Sequence, residues 1–153
     1  MIHLPTKFIV ICMTDSETIA RLEKKTGLSI TWHQDCSFYA DSNGTILENG
    51  VLLYLTDITF HVHADGFDDS FMAMDVLYTD PVLKTDALDF VTGKASRVKR
   101  ANPFKALTNE TLLSVELDGK RFMFFKMKGS QFRQLLSIAQ AKQKYSKTVS
   151  DRN

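Results

Sequence analysis

Cysteine is scarce in this chain: Cys12 and Cys36 are the only two among 153 residues. Two thiols without metal-type spacing cannot build a disulfide framework or a paired-cysteine zinc site, so reduced cysteines are expected. Proline and glycine are sparse as well, at three and seven, and no low-complexity or linker-like tract divides the sequence. Phosphate-cradling glycine loops and the nucleophile elbow are missing, which argues against the familiar enzyme classes that use them. The longest apolar run, Phe8 to Met13, falls far short of the roughly 20 residues that span a bilayer. The amino terminus also lacks the basic, apolar, small-residue order of a signal peptide, so a cytoplasmic protein with no transmembrane segment is the expectation.

What is present fits one globular unit. A hydrophobic content of 44% with 24% charged residues is enough to bury a core and too apolar for whole-chain disorder. Residues 1–147 are expected to form a single domain and residues 148–153 a polar, flexible tail. The formal net charge of +1 conceals an uneven distribution. Residues 1–50 carry four Lys/Arg against six Asp/Glu, residues 51–90 one against eight, and residues 91–153 fourteen against four. Such polarity either draws an anionic partner to the carboxy-terminal part or is neutralised inside the fold, and composition does not choose between the two.

Hydrophobic periodicity organises the chain into strands with two amphipathic helices. Lys7 to Met13 reads as a strand apolar on both faces. Thr14 and Glu17 have capping-box spacing, Ile19 and Leu22 lie one turn apart, and Gly27 stands at a helix C-cap, which predicts a helix over residues 15–26. Leu28 to Ala40 alternates around a polar centre, as one bent strand or two short ones, and Asn43-Gly44 signals a type I′ hairpin turn. Residues 51–63 read as the clearest strand, with Ile58, Phe60 and Val62 on the core face and Thr59, His61 and His63 on the other. After an acidic loop at Ala64 to Asp69, Phe71 to Tyr78 places Met72, Met74, Val76 and Tyr78 on one face. Residues 80–93 hold Pro81 and a short apolar stretch, Leu88 to Val91, and residues 94–105 form a basic, exposed connector. Thr111 to Leu117, Asp118-Gly119 and Arg121 to Met127 predict a hairpin with a two-residue turn. Phe132, Leu135, Leu136 and Ala139 then mark the packing face of a helix over about residues 129–145.

The stretch Gly50-Val51-Leu52-Leu53-Tyr54-Leu55-Thr56-Asp57 with Ile58 and Phe60, followed downstream by Leu113-Ser114-Val115-Glu116-Leu117-Asp118-Gly119-Lys120-Arg121-Phe122-Met123-Phe124 and a final amphipathic helix, resembles GRAM and bacterial pleckstrin-homology-like domains over about residues 44–145. The resemblance implies an α+β fold, a mainly antiparallel curved sheet closed by the carboxy-terminal helix, used for binding phosphoinositides or proteins rather than for catalysis. The chain departs from that pattern in the extra strand-helix unit at residues 7–26 and in a connector that is longer and more basic.

Several constellations bear on chemistry. His61 and His63, two apart on a strand, share a face and can supply two ligands to a metal, with Asp57, Asp65, His33 and Asp75 as candidate thirds; a catalytic zinc normally needs three. His33, Asp35 and Cys36 contain a base, an acid and a nucleophile, but neighbours in a strand rarely converge. Asp65, Asp68 and Asp69, or Asp41 with Asn43 and Glu48, hold calcium-type oxygens without the alternation of an EF-hand loop. On Arg121 to Met127, Phe122 and Phe124 oppose Met123, Phe125 and Met127, so a sheet open on one side would expose a stacking platform between lysines. Lys94, Arg97, Lys99 and Arg100 form the candidate partner-binding cluster. The expectation is a non-catalytic binding or adaptor module, without cofactor or metal, that contacts a protein partner first and a phospholipid headgroup or nucleic acid as lesser options. The alternative from another class is a metal-dependent hydrolase using His61 and His63.

Overall fold

The computed structural model describes residues 15–102, 110–118, 120–128, 130–131, 133–135 and 137–142. The expected strand at residues 7–13 with Cys12, the Thr14 cap, Pro103 of the connector, Phe132 and Leu136 of the final helix, and the tail at 148–153 lie outside them.

Among the described residues nine strands form two antiparallel sheets, with short helices against them, an α+β arrangement. The first helix, α1 (Asp15–Thr26), ends where the sequence places its stop: Gly27 takes φ +73° and its N–H returns to Glu23 O at 2.8 Å. The next segment bends as its polar centre suggested, into β1 (Ile30–Cys36) and β2 (Tyr39–Asp41). β1 joins one sheet in the order β1-β4-β5-β6, whereas β2 joins the other in the order β3-β2-β9-β8-β7. A single extended stretch of chain is thus shared between the sheets, turning at Ser37.

The hairpins between these strands differ from those the sequence indicated. The turn joining β2 to β3 (Ile46–Leu47) is not type I′: it is closed by Gly44 N–H on Asp41 O at 3.1 Å, and only Gly44 is left-handed. The strand expected over residues 51–63 is itself a hairpin, β4 (Val51–Thr56) and β5 (Thr59–Ala64), because Asp57 adopts φ +49° and Thr56 pairs with Thr59. Ile58 therefore sits in the turn, while Phe60 and Val62 are wholly buried as expected. The acidic loop shrinks to Asp65-Gly66, and β6 (Phe67–Met72) starts at once. The alternation Met72 to Tyr78 does not make one strand: a 3₁₀ turn at Ala73–Asp75 carries the chain to the second sheet, where β7 (Val76–Leu83) begins and Met74 and Tyr78 are exposed. Pro81 is accommodated because β7 is an edge strand, where a missing N–H is harmless. The stretch after it is helical, α2 (Lys84–Val91). The hairpin of β8 (Thr111–Leu117) and β9 (Arg121–Phe125) pairs Leu117 with Arg121, so its loop has three residues rather than two.

Three apolar clusters explain this layering. The main core lies between the sheets, with Val51, Leu53, Leu55, Phe60, Val62 and Phe71 from one meeting Tyr39, Leu113, Val115, Met123 and Phe125 from the other. Helical residues at 130–131, 133–135 and 137–142, here α3, supply Leu135 and Ala139 to that core. Leu22 and Ile19 of α1 cover Leu52 and Tyr54 on the outside of the first sheet. Ala87, Leu88, Phe90 and Val91 of α2 cover Val82, Leu112, Phe122 and Phe124 on the outside of the second. β4 is buried at every position because it has cover on both faces. A large apolar side chain taken out of water in this way contributes about 1.5–3 kcal/mol before entropy is counted. No helix among the described residues is long and apolar enough to cross a membrane.

Candidate interaction surface

The basic connector is pinned at three places. Ala95 N–H bonds Asp89 O at 2.9 Å, Val98 packs into the cluster under α2, and Ala101 N–H bonds Pro81 O at 2.8 Å on the free side of β7. Val98 is the one apolar side chain between Ala95 and Ala101, and a single anchor has no periodicity for sequence reasoning to find. The segment is therefore held against the outer edge of the second sheet rather than free of it.

Its four cations divide into two kinds. Arg100 Nε meets Asp80 Oδ2 at 2.5 Å, its Nη2 lies 3.8 Å from Glu116 Oε2, and its guanidinium sits 5.8 Å from the centre of the Tyr78 ring. Tyr78 and Glu116 are cross-strand partners, with Asp80 two positions along β7 on the same face, so Arg100 closes a compact polar group on the outside of the sheet. Lys94, Arg97 and Lys99 are exposed, and they make no ion pair among the described residues. Internal neutralisation thus reaches one member of the cluster and leaves three facing solvent.

An apolar strip lies in the 3₁₀ turn and at the start of β7, where the sequence placed Met74 and Tyr78, but not Leu77, on one strand face. Met74, Leu77 and Tyr78 are 44%, 52% and 58% exposed, and among the described large hydrophobic residues only Leu28 and Ile46 are also exposed. Leu117, the partner of Val76, and Asp75 also line a cleft of about 310 Å³ with Phe71, Met72, Lys120 and Arg121. Arg121 reaches across from β9 to the Asp69 carboxylate, and its buried Nε has no hydrogen-bond partner among the described residues. With Asp75, Asp118, Lys120 and Arg121 in its wall, the cleft carries both signs of charge and is not an anion site.

The remaining constellations resolve into structural roles. His61 and His63 do share the outer face of the first sheet, but each has its own neighbour: His61 Nε2 and Thr56 Oγ1 share a 2.7 Å hydrogen bond, and His63 Nδ1 meets Asp68 Oδ1 at 2.5 Å. The His61 ring stacks on Tyr54 at 4.6 Å between centroids, and burial lowers its pKa, with Asp68 acting in the opposite direction. Tyr54 is raised for the same reasons, burial first and the Asp68 charge second. His33 lies two strands away on β1, and Asp57, Asp65 and Asp75 lie in turns; among the described residues no three His, Cys, Asp or Glu side chains gather as a metal ligand set.

Cys36 is buried on the opposite face from the exposed His33 and Asp35, so these three cannot act together. Its thiol is pushed up to about 12 by burial and then by the Asp35 charge. Phe122 and Phe124 are covered by α2, with Phe90 5.1 Å and 6.3 Å from them, which leaves no stacking platform on β9. The two acidic groups are equally committed. Asp68 and Asp69 hold His63 and Arg121, and Asp41 is a turn residue buried at 1% exposure.

A scan of protein-family models, a search of curated proteins and a search of solved structures each return no match.

Proposed function

We propose that this chain is a non-catalytic binding module of the GRAM or pleckstrin-homology-like kind, which contacts an acidic protein through Lys94, Arg97 and Lys99. One observation carries the reading: three neighbouring cations stand exposed on a segment whose backbone is anchored, while Arg100, the fourth, is occupied by Asp80 and Glu116. Cations fixed on an ordered segment present their charge without the cost of ordering a loop at the moment of binding. The reading rests on the coarse arrangement, antiparallel sheets with a carboxy-terminal helix on the core. The helix α1 is an addition on the outside of the first sheet.

A protein is favoured over a membrane because three surface cations contribute only about 1 kcal/mol each at an anionic bilayer. The test is the variant K94E/R97E/K99E. Partners recovered from the native cell with the wild-type chain should be lost with the variant and should dissociate as salt is raised, because exposed charges are screened over about 10 Å at 0.1 M salt. Retention of those partners by the folded variant, or tighter binding to anionic vesicles or single-stranded DNA than to protein, would discard the reading.

A further inference from the structure

Two Asn-Gly pairs flank β3, Asn43-Gly44 before it and Asn49-Gly50 after it, and all four residues are exposed. Both glycines are left-handed, at φ +93° and +69°, and nothing lies within 4 Å of where a Cβ would stand on either. The first pair is held. Asn43 N–H donates to Asp41 Oδ1 at 2.9 Å, Gly44 N–H donates to Asp41 O at 3.1 Å, and the same Oδ1 accepts Thr45 N–H at 3.1 Å. The second pair is not held: among the described residues neither the Asn49 side chain nor the Gly50 N–H has a hydrogen-bond partner. One dipeptide thus occurs twice, once clamped and once free, and the free copy lies on the link that crosses from the second sheet to the first.

We propose that Asn49-Gly50 is a spontaneous modification site of the native protein, where Asn49 becomes aspartate or isoaspartate, and that the Asp41 clamp protects Asn43-Gly44 from the same reaction. The Gly50 nitrogen, having lost its proton to solvent base, bonds to Asn49 Cγ, and the absence of a Cβ leaves that approach open. The Cγ–Nδ2 bond breaks, and the amide takes up a proton and leaves as ammonia. Water then opens the cyclic imide, at Cγ to give aspartate or at the main-chain carbonyl to give isoaspartate. The sum is amide and water to carboxylic acid and ammonia, with no oxidant or cofactor. An N–H in a hydrogen bond reacts only through opening of that bond, so reaction at Gly44 requires the Asp41 turn to come apart and reaction at Gly50 does not. Either product places a negative charge beside Glu48. Isoaspartate also inserts a methylene into the main chain two positions before Val51, which is 1% exposed and opens β4 opposite Cys36. The site is independent of Lys94, Arg97 and Lys99.

The full chain, incubated at neutral pH in water enriched in heavy oxygen, is cleaved after Glu48 so that the two asparagines fall in separate peptides for mass spectrometry. Acid carrying heavy oxygen should accumulate at least about tenfold faster at Asn49 than at Asn43, since two hydrogen bonds must open at the clamped pair. In urea beyond the unfolding transition both pairs are free, and the two rates should converge. Asn49→Gln, whose longer side chain must close a larger ring, should stop the reaction at that position and leave Asn43 slow. Asp41→Ala should speed Asn43 in the folded protein, and the urea comparison carries the same test should that variant not fold.

An Asn49 that keeps its amide in the native chain, over a period in which the unfolded chain converts, overturns the site. Equal native rates at the two asparagines overturn the protection by Asp41. A difference that persists undiminished in urea belongs to the flanking residues rather than to the fold, and overturns it as well.

Discussion

The Asp41 carboxylate, almost wholly buried, accepts the Tyr39 hydroxyl at 2.9 Å and, through its other oxygen, the N–H groups of Asn43 and Thr45 at 2.9 and 3.1 Å. One side chain thus fastens the β2–β3 turn and satisfies a phenol inside the main core. Burial and the Asp41 charge hold the Tyr39 pKa well above its ordinary value. Asp41→Ala strands three donors and should cost about 3 kcal/mol or more, because bonds to a charged acceptor are worth about 1.5–3 kcal/mol each and buried donors left unpaired add to that. Tyr39→Phe removes one donor and leaves the turn intact, so its cost should be about 1 kcal/mol. Urea unfolding of the two variants checks the order, and an equal loss would contradict it.

Leu135, 2% exposed, inserts into the main core from α3, which is further tied to β1 by Trp32 Nε1–H donating to Gln134 Oε1 at 3.2 Å. Leu135→Ala should destabilise the protein by about 2–5 kcal/mol. A loss below about 0.5 kcal/mol in denaturant unfolding would mean that α3 does not pack there.

Acid should weaken the first sheet through His61. Its pKa is lowered on folding, chiefly by burial, so the unfolded chain takes up the proton more readily than the folded one. This contribution is complete above the unfolded value of about 6.5 and is lost as pH falls below it. The groups facing the ring are Tyr54 and Thr56, with Asp68 opposing the shift. The drop in urea midpoint between about pH 7.5 and 5.5 should be smaller in His61→Gln than in the wild type. Identical drops in the two proteins would assign the acid sensitivity elsewhere.

Cys36 should be chemically silent while the protein is folded, since a thiol raised to about 12 offers almost no thiolate near neutrality. In a Cys12→Ser background, maleimide labelling should proceed only at the rate of opening and accelerate across the unfolding transition. Rapid labelling of the native protein would place the thiol at the surface.

Arg100 and its neighbours should separate in their effect on stability. Arg100→Ala breaks a half-exposed ion pair and should cost no more than about 1 kcal/mol. K94E/R97E/K99E should stay within about 0.5 kcal/mol of the wild type, because these side chains touch nothing charged among the described residues. Thermal melts at low and high salt make the comparison. A clear, salt-sensitive loss in the triple variant would mean that the connector neutralises the acidic region within the fold.

Elements whose signal is local were legible in the sequence. Gly27 stops α1 where expected, the Leu28 to Ala40 stretch bends, the β8–β9 hairpin forms around Asp118, and Leu135 and Ala139 point inward. The β4–β5 turn was not legible, because Asp57 in a left-handed conformation followed by a β-branched Ile58 is poor turn chemistry, overridden by the pairing of Thr56 with Thr59. The alternation from Met72 to Tyr78 ran straight through the crossing between sheets, since a 3₁₀ turn of three residues leaves no mark on a period-two pattern. At the candidate site, the cluster Lys94, Arg97, Lys99 and Arg100 was readable as charge. The capture of Arg100 by Asp80 and Glu116 was not, being a contact over 20 and 16 positions that only the edge of the sheet creates.

The strand shared at Ser37 also fixes an order in time. β1, β4, β5 and β6 follow one another in sequence and can pair as soon as residue 72 is made. β2 finds its principal neighbour only when Ala40 meets Phe124, near the end of the chain. On a translating ribosome the first sheet can therefore assemble while its inner face, Leu53, Leu55, Phe60 and Val62, has nothing to cover it. Because that closure is so distant in sequence, it is expected to be the slow step of refolding, and aggregation of the nascent protein is expected mainly in the interval before β9 emerges.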